Sequence, residues 1–206
     1  MKMKKILIII MCLYTLAATA QESKDGIHFG LGMGFSNSYN YSAVSLFPDA
    51  NMTYNGCSAE QLTISYRCKD NFYAGLCLDI TSGQTSHQEL NEQFALYSIK
   101  LELGNFYPLT KSLELLYKVS FGALIGNNTF TYASQNNSIM RYGYEGSLYC
   151  GLQYNLSHNS QIGFGVELPT YGYYSGQKGV LPDDMVATNS QAFSSIRPMI
   201  SYSLKL

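Results

Sequence analysis

Residues Leu113-Glu-Leu-Leu-Tyr-Lys-Val-Ser-Phe-Gly-Ala-Leu-Ile125-Gly126 alternate between two kinds of side chain. One set is Leu113, Leu115, Tyr117, Val119, Phe121, Ala123 and Ile125. The other is Glu114, Leu116, Lys118, Ser120, Gly122, Leu124 and Gly126. A period of two places these sets on opposite faces of a β-strand. The same rhythm recurs at residues 27–36, 61–68, 72–81, 95–104, 142–156, 161–168 and 196–206, making eight segments. None of the chain after residue 20 reads as a long helix.

The two faces differ in an unusual way. The apolar faces carry no charge. The opposite faces hold Arg67, Lys100, Lys118, Arg197 and Lys205 against Asp79, Glu102, Glu114, Glu145 and Glu167, five of each sign. These charges alternate with glycine, as in His28-Phe-Gly30-Leu-Gly32-Met-Gly34. A strand face wetted by bulk water is normally rich in Lys, Glu and Thr. Balanced charges among glycines suit an enclosed space, where each ion needs a partner and each long side chain needs room.

The connections set the topology. Segments join through 37–59, 69–71, 82–92, a turn around Pro108–Lys111, 127–140, 157–160 and about 173–191, so long loops alternate with short turns. This is the order of an all-β, eight-stranded antiparallel up-and-down barrel, with both termini at the short-turn end. In hydrocarbon every backbone N–H and C=O must pair within the protein, so only helices and closed barrels span. Six of the eight segments reach the ~9–11 tilted residues a crossing needs, and 61–68 and 161–168 come within about one residue of it. An eight-stranded barrel encloses only enough space for side chains to fill. The reading is therefore a transmembrane barrel, its lumen plugged by a charge network of Lys100, Glu102, Lys118, Glu145, Glu167 and Arg197. Folding about Thr110 sets Glu102 opposite Lys118, and Glu167 and Arg197 lie on neighbouring strands.

Composition agrees. Of 206 residues only 13% are charged, about half the usual share of a soluble domain. There are 18 glycines, 18 tyrosines and no tryptophan. Such a chain is not disordered, and its net charge of −1 gives no reason to expect nucleic acid. Residues 1–20 read as a signal peptide: a basic start at Lys2, Lys4 and Lys5, an apolar stretch from Ile6 to Ala18, and a small-x-small site at Ala18-Thr19-Ala20. Residues 21–206 are then the barrel domain. Removing three lysines leaves 10 basic against 14 acidic residues, a net charge of −4. Export favours disulfides. However, Cys68 and Cys150 fall on one face and Cys77 on the other, so Cys57, Cys68, Cys77 and Cys150 are expected as free thiols.

The whole of 21–206 resembles the small outer-membrane β-barrels of Gram-negative bacteria, the OmpA/OmpX-like eight-stranded type. Ile200-Ser-Tyr202-Ser-Leu204-Lys-Leu206 resembles the C-terminal strand that the barrel-assembly machinery reads in that family, although it ends in Leu rather than Phe or Trp. With no Trp, tyrosines would form the interfacial girdles. Tyr39, Tyr41, Tyr142, Tyr144 and Tyr171 fall near the loop-side rim. Phe72, Tyr107, Tyr154 and Tyr202 fall near the other. Pro198 removes a ladder donor from the closing strand, which calls for a local bulge. The resemblance implies an outer-membrane location, with membrane lipid and lipopolysaccharide around the barrel.

Chemistry is sparse. There is no Walker loop, no HExxH and no C-x-x-C, and no cofactor or metal is expected. Gly30-Leu-Gly-Met-Gly34 sits in mid-strand without a following helix and reads as lumen space. His28 lies at the short-turn end of the lumen. His87 stands near Ser86 and Glu89 in a loop, and His158-Asn-Ser160 falls in a turn without a carboxylate on its face; a triad requires geometry that neither spacing supplies. Asp183-Asp184 reads as a solvated loop. The expected function is a non-enzymatic barrel whose long loops meet an unknown surface partner or support the envelope. Two alternatives stay open: a lipid A-modifying outer-membrane enzyme, and a soluble lipocalin-like barrel with its apolar face around a ligand.

Overall fold

Alternation of this length can satisfy its backbone only by pairing on both sides. The computed structural model describes residues 26–36, 39–40, 44–45, 53–68, 71–87, 90–132, 135–179, 186–187, 190–192 and 196–206. Eight strands form the wall: β1 Gly26–Ser36, β2 Thr53–Arg67, β3 Phe72–His87, β4 Leu90–Pro108, β5 Leu113–Tyr132, β6 Gln135–Asn155, β7 Ser160–Lys178 and β8 Arg197–Lys205. Each pairs antiparallel with its sequence neighbours, and β1 pairs with both β2 and β8, so the sheet closes. Short pieces add to the rim. Tyr39–Asn40 pairs with β2, Ser190–Ala192 with β7, and Val44–Ser45 with Val186–Ala187. The chain is an all-β, eight-stranded up-and-down barrel. The signal peptide at 1–20 and Asp183-Asp184 lie outside the described residues.

The register fixes the shape of the tube. From Gly26 the pairings run through Arg67, Tyr73, Gly104, Lys118, Tyr149, Glu167 and Arg197. Carrying the Gly34–Met199 register two residues further returns the path to Ser36, ten residues up the starting strand. Ten residues of ~3.3 Å over eight strands ~4.8 Å apart give a tilt of about 41°.

Outside, the wall is greasy. Ile99 is 60% exposed, Leu101 64% and Phe121 60%, whereas Lys100 between the first two is 0% exposed. This inverts the soluble, lipocalin-like alternative, in which the apolar face would point inward. On β4 the band runs from Tyr97 to Tyr107, about 25 Å of axial height at that tilt, matching the apolar belt of a membrane barrel. Exposed aromatic residues mark both margins. Phe35, Tyr97, Tyr142 and Tyr144 lie at one, and Tyr66, Phe72, Tyr107 and Tyr154 at the other. The side chains of Tyr39, Tyr41 and Tyr171 lie outside the described residues.

Two expectations need correction. The segments 82–92 and 127–140, read as loops, are largely strand: β3 and β4 leave only 88–89 between them, and β5 and β6 only 133–134. The loops read as 37–59 and 173–191 are likewise shortened by β2 and β7. Above the membrane band the faces exchange character. Asn91, Gln93, Asn127 and Thr129 point outward, while Phe94, Leu96, Leu124 and Ile139 are buried inward. The strands continue with their hydropathic phase reversed.

Pro198 is the second correction, because no bulge accommodates it. It pairs in register with Val166 on β7. On the β1 side the ladder has already ended at Gly34–Met199. The donor that proline lacks falls where no partner strand demands it.

Leu101 faces lipid near mid-band, whereas Gln93 faces outward above it. Leu101→Arg is expected to lower unfolding free energy in lipid vesicles by about 2–4 kcal/mol, and Gln93→Arg by less than about 1 kcal/mol. Urea titration of both variants checks the placement of the band.

Candidate functional site: a side-chain-filled lumen

Inward positions of neighbouring strands meet across a narrow tube, so the lumen is built in layers. At the short-turn end, Arg67 Nη1 and Nη2 donate to the two carboxylate oxygens of Glu114 at 2.8 and 2.9 Å. Arg67 Nη2 also donates to Asn71 Oδ1 at 2.7 Å, and the guanidinium lies 4.1 Å from the Phe106 ring centroid. Asn71 holds φ at 61° in the β2–β3 turn, a left-handed conformation that Asn tolerates better than most residues. Gln161 Nε2 completes Glu114 at 3.3 Å.

The next layer is Glu102 with Lys118. Lys118 Nζ lies 2.7 Å from Glu102 Oε1, and Tyr73 O–H donates to Glu102 Oε2 at 2.6 Å. The ammonium also sits 5.0 Å from the Tyr149 ring centroid. The register differs by two residues from a fold about Thr110: Glu102 is opposite Ser120, and Lys118 opposite Gly104. The contact is therefore diagonal. Tyr149 needs room, and glycines supply it. A Cβ on either Gly151 or Gly165 would collide with the Tyr149 hydroxyl.

A larger cluster fills the next level. Lys100 Nζ stands 2.5 Å from Asp79, 3.3 Å from Glu145 and 3.4 Å from Glu167. Arg197 Nη2 stands 2.8 Å from Glu167 and 3.4 Å from Asp79, while its Nη1 donates to Thr81 Oγ1 at 2.7 Å. Glu167 and Arg197 are direct partners in the ladder. Gln61 Nε2 donates to Asp79 at 3.0 Å and to Glu167 at 3.2 Å, and Ser98 Oγ to Glu145 at 2.7 Å. Two cations thus face three carboxylates, with neutral donors completing the acids. Above them lies the apolar layer of Phe94, Leu96 and Leu124, and then Asn128 Nδ2 donating to Glu92 at 2.7 Å, with Arg141 buried on the neighbouring strand.

All six residues assigned to the network from sequence point into the lumen and fall into two groups, Glu102–Lys118 and Lys100–Glu145–Glu167–Arg197. Sequence reasoning left Asp79 out of the network, although it bridges both cations. It also did not pair Arg67 with Glu114, and it placed Glu92 in a loop. The signal for Asp79 was present, since it lies diagonal to Lys100 on the adjacent strand.

No catalytic constellation accompanies this network among the described residues. His158 is exposed in the β6–β7 turn, where Ser157 Oγ and Ser160 Oγ bond each other at 2.7 Å. The His87 side chain lies outside the described residues. Among the described residues no His, Cys, Asp or Glu cluster could hold a metal. Cys57, Cys68, Cys77 and Cys150 are free, with Cys77 inside the wall and Cys150 exposed on its outer face.

The wall and its contents define a small outer-membrane-type β-barrel. No protein-family profile matches the chain, and no curated protein matches it by sequence. Solved structures of low identity share the fold. Neisserial surface protein A (NspA) aligns with a TM-score of 0.56 at 12% identity, over 88% of this chain and 97% of that one. A major outer membrane protein from Thermus thermophilus aligns with a TM-score of 0.52 at 10% identity, over 88% and 100%. OprG from Pseudomonas aeruginosa aligns at 0.50 and 14% identity, over 91% and 99%.

Removing one partner from a buried ionic cluster strands the others, at a cost of about 3–5 kcal/mol. Lys100→Met leaves three carboxylates facing Arg197 alone, and a loss of that size in vesicle unfolding is expected. The double variant Glu102→Gln/Lys118→Met is expected to lose less than the sum of its single changes. A Lys100→Met barrel as stable as the parent would mean that the cluster is hydrated rather than packed.

Proposed function

We propose that the protein is a non-enzymatic outer-membrane barrel with a plugged lumen. Its work lies at the strand ends and loops beyond the membrane, in surface contact or envelope integrity. The observation that carries this reading is the succession of ionic and apolar layers across the tube. The void between Arg67–Glu114 and the Lys100 cluster is about 60 Å³, room for a few waters. A void of that size, with Arg67–Glu114 on one side and the Lys100 cluster on the other, speaks against a conduction path. Among the described residues the lumen carboxylates are each taken up by a cation, which speaks against a general base for acyl transfer.

In this reading, acyl chains surround the band from Tyr107 to Tyr97. Lipopolysaccharide meets the outward amides and hydroxyls above it. The alternating strand ending at Leu206 serves recognition by the assembly machinery. The polar extensions of β3 to β6 carry the connecting segments away from the membrane surface. A rigid wall that displays variable segments is a common way to present a binding surface.

Purified protein in planar bilayers is expected to give no stepwise conductance. Regular ohmic steps would refute the plug. In a deletion strain, lipid A masses are expected to match those of the parent. A shifted mass restored by the parent gene but not by His158→Ala would instead establish a lipid A enzyme.

A further inference from the structure

Ladder partners on neighbouring strands share a face and a height, so the outward side chains of the wall form rows. One row crosses six strands just above the lipid band. It runs Phe35, Ser58, Ser82, Ala95, Asn127 and Met140, each the ladder partner of the next. Its four middle members are short, and its two ends are large, apolar and exposed. The row below is tall and apolar, with Ile80, Tyr97 and Ile125 all exposed. The row above is polar, with Gln84, Gln93 and Thr129 exposed. An open recess of about 450 Å³ follows this step, lined by the four short residues and by the amides and hydroxyl above them. Between the Asn55–Gln84 and Ser58–Ser82 pairings β2 carries one extra residue, and such a bulge bends the wall. From Ser58 to Asn127 the row spans three strand spacings, about 14 Å, which suits sugar rings better than a single ion.

The lining selects a chemistry. Among the described residues no charged side chain lines the recess. The outward charges next to it are Glu60, at the corner of the apolar row, and Lys178, beyond Met140. A phosphate site would need converging cations. Amides and hydroxyls, which both donate and accept, suit the hydroxyls of a neutral sugar. Tyr97 adds an amphipathic ring at the boundary. The recess is also continuous with the membrane band, since Tyr97, Ile99 and Leu101 follow Ala95 down the outer face of β4.

We propose that this recess seats the sugar of a membrane-anchored glycolipid of the outer leaflet. Gln84, Gln93 and Asn127 bond its ring hydroxyls, Phe35 and Met140 close the ends, and its acyl chains run down β4 past Ile99. This rests on the outer-membrane reading above and deepens it, giving lipopolysaccharide a fixed seat on the wall.

The test uses the mature barrel refolded in a sugar-free polyoxyethylene detergent and read by native mass spectrometry. The probe is rough-type lipopolysaccharide, compared with phosphatidylglycerol and with the core oligosaccharide freed of lipid. One retained lipopolysaccharide per barrel is expected, held at least tenfold more tightly than either comparison. Ala95→Leu fills the recess with a side chain that lipid tolerates, and is expected to weaken retention at least tenfold. Gln93→Ala/Asn127→Ala is expected to weaken it at least threefold, and carries the comparison if Ala95→Leu does not fold. Ala123→Leu, facing lipid within the band, should leave it unchanged. Phosphatidylglycerol retained equally well would mean that acyl chains alone bind, and free oligosaccharide bound equally well would mean a soluble glycan. Either result overturns the proposal, as does unchanged retention in a folded recess variant. The gel shift on boiling verifies folding in every sample, so a folded barrel that retains nothing loses the seat and keeps the barrel reading. The spectrum also weighs the retained lipid. A mass below that of the input would remove the non-enzymatic reading and leave the seat standing.

Discussion

Everything in this molecule follows from β1 being paired on both flanks. A strand bonded to β2 on one side and β8 on the other leaves the wall no edge, and hydrocarbon tolerates none. Closure with a ten-residue offset sets the tilt. At that tilt, eight strands ~4.8 Å apart enclose a tube of about 8 Å backbone radius. That radius decides the contents. Side chains from non-adjacent strands meet at the axis, as Arg67 and Glu114 do from β2 and β5. Because alternation is strict, choosing Leu101 for the lipid places Lys100 and Glu102 inside.

This coupling explains how much could be read in advance. Each transmembrane segment was legible, because lipid demands apolar residues at every second position and the lumen tolerates few. The strand ends were not. Beyond Tyr97 the outward residues meet polar surroundings, and Gln93 and Asn91 take over. The inward residues meet one another, and Leu96 and Phe94 take over. The alternation survives with its sign changed. A search for one continuous apolar face stops there and reports a loop.

The charges divide in the same way. Glu167 and Arg197 were legible because they are ladder partners, and Glu102 with Lys118 because they lie on one hairpin. Small errors of turn length shift such a pair from opposite to diagonal without separating it. Arg67 and Glu114 share no hairpin or neighbouring strand, so only the closed tube brings them together.

Arg197 carries a consequence for how the chain acquires its structure. It stands at the start of β8, the last strand to emerge, and its guanidinium completes acids contributed by β3 and β7. An unsealed sheet lacking β8 holds Asp79, Glu145 and Glu167 against Lys100 alone. Sealing the seam and supplying the second cation of the cluster are therefore one event. Partly assembled forms carry an electrostatic penalty that is relieved only with the final stitch, which drives the transition toward all-or-none.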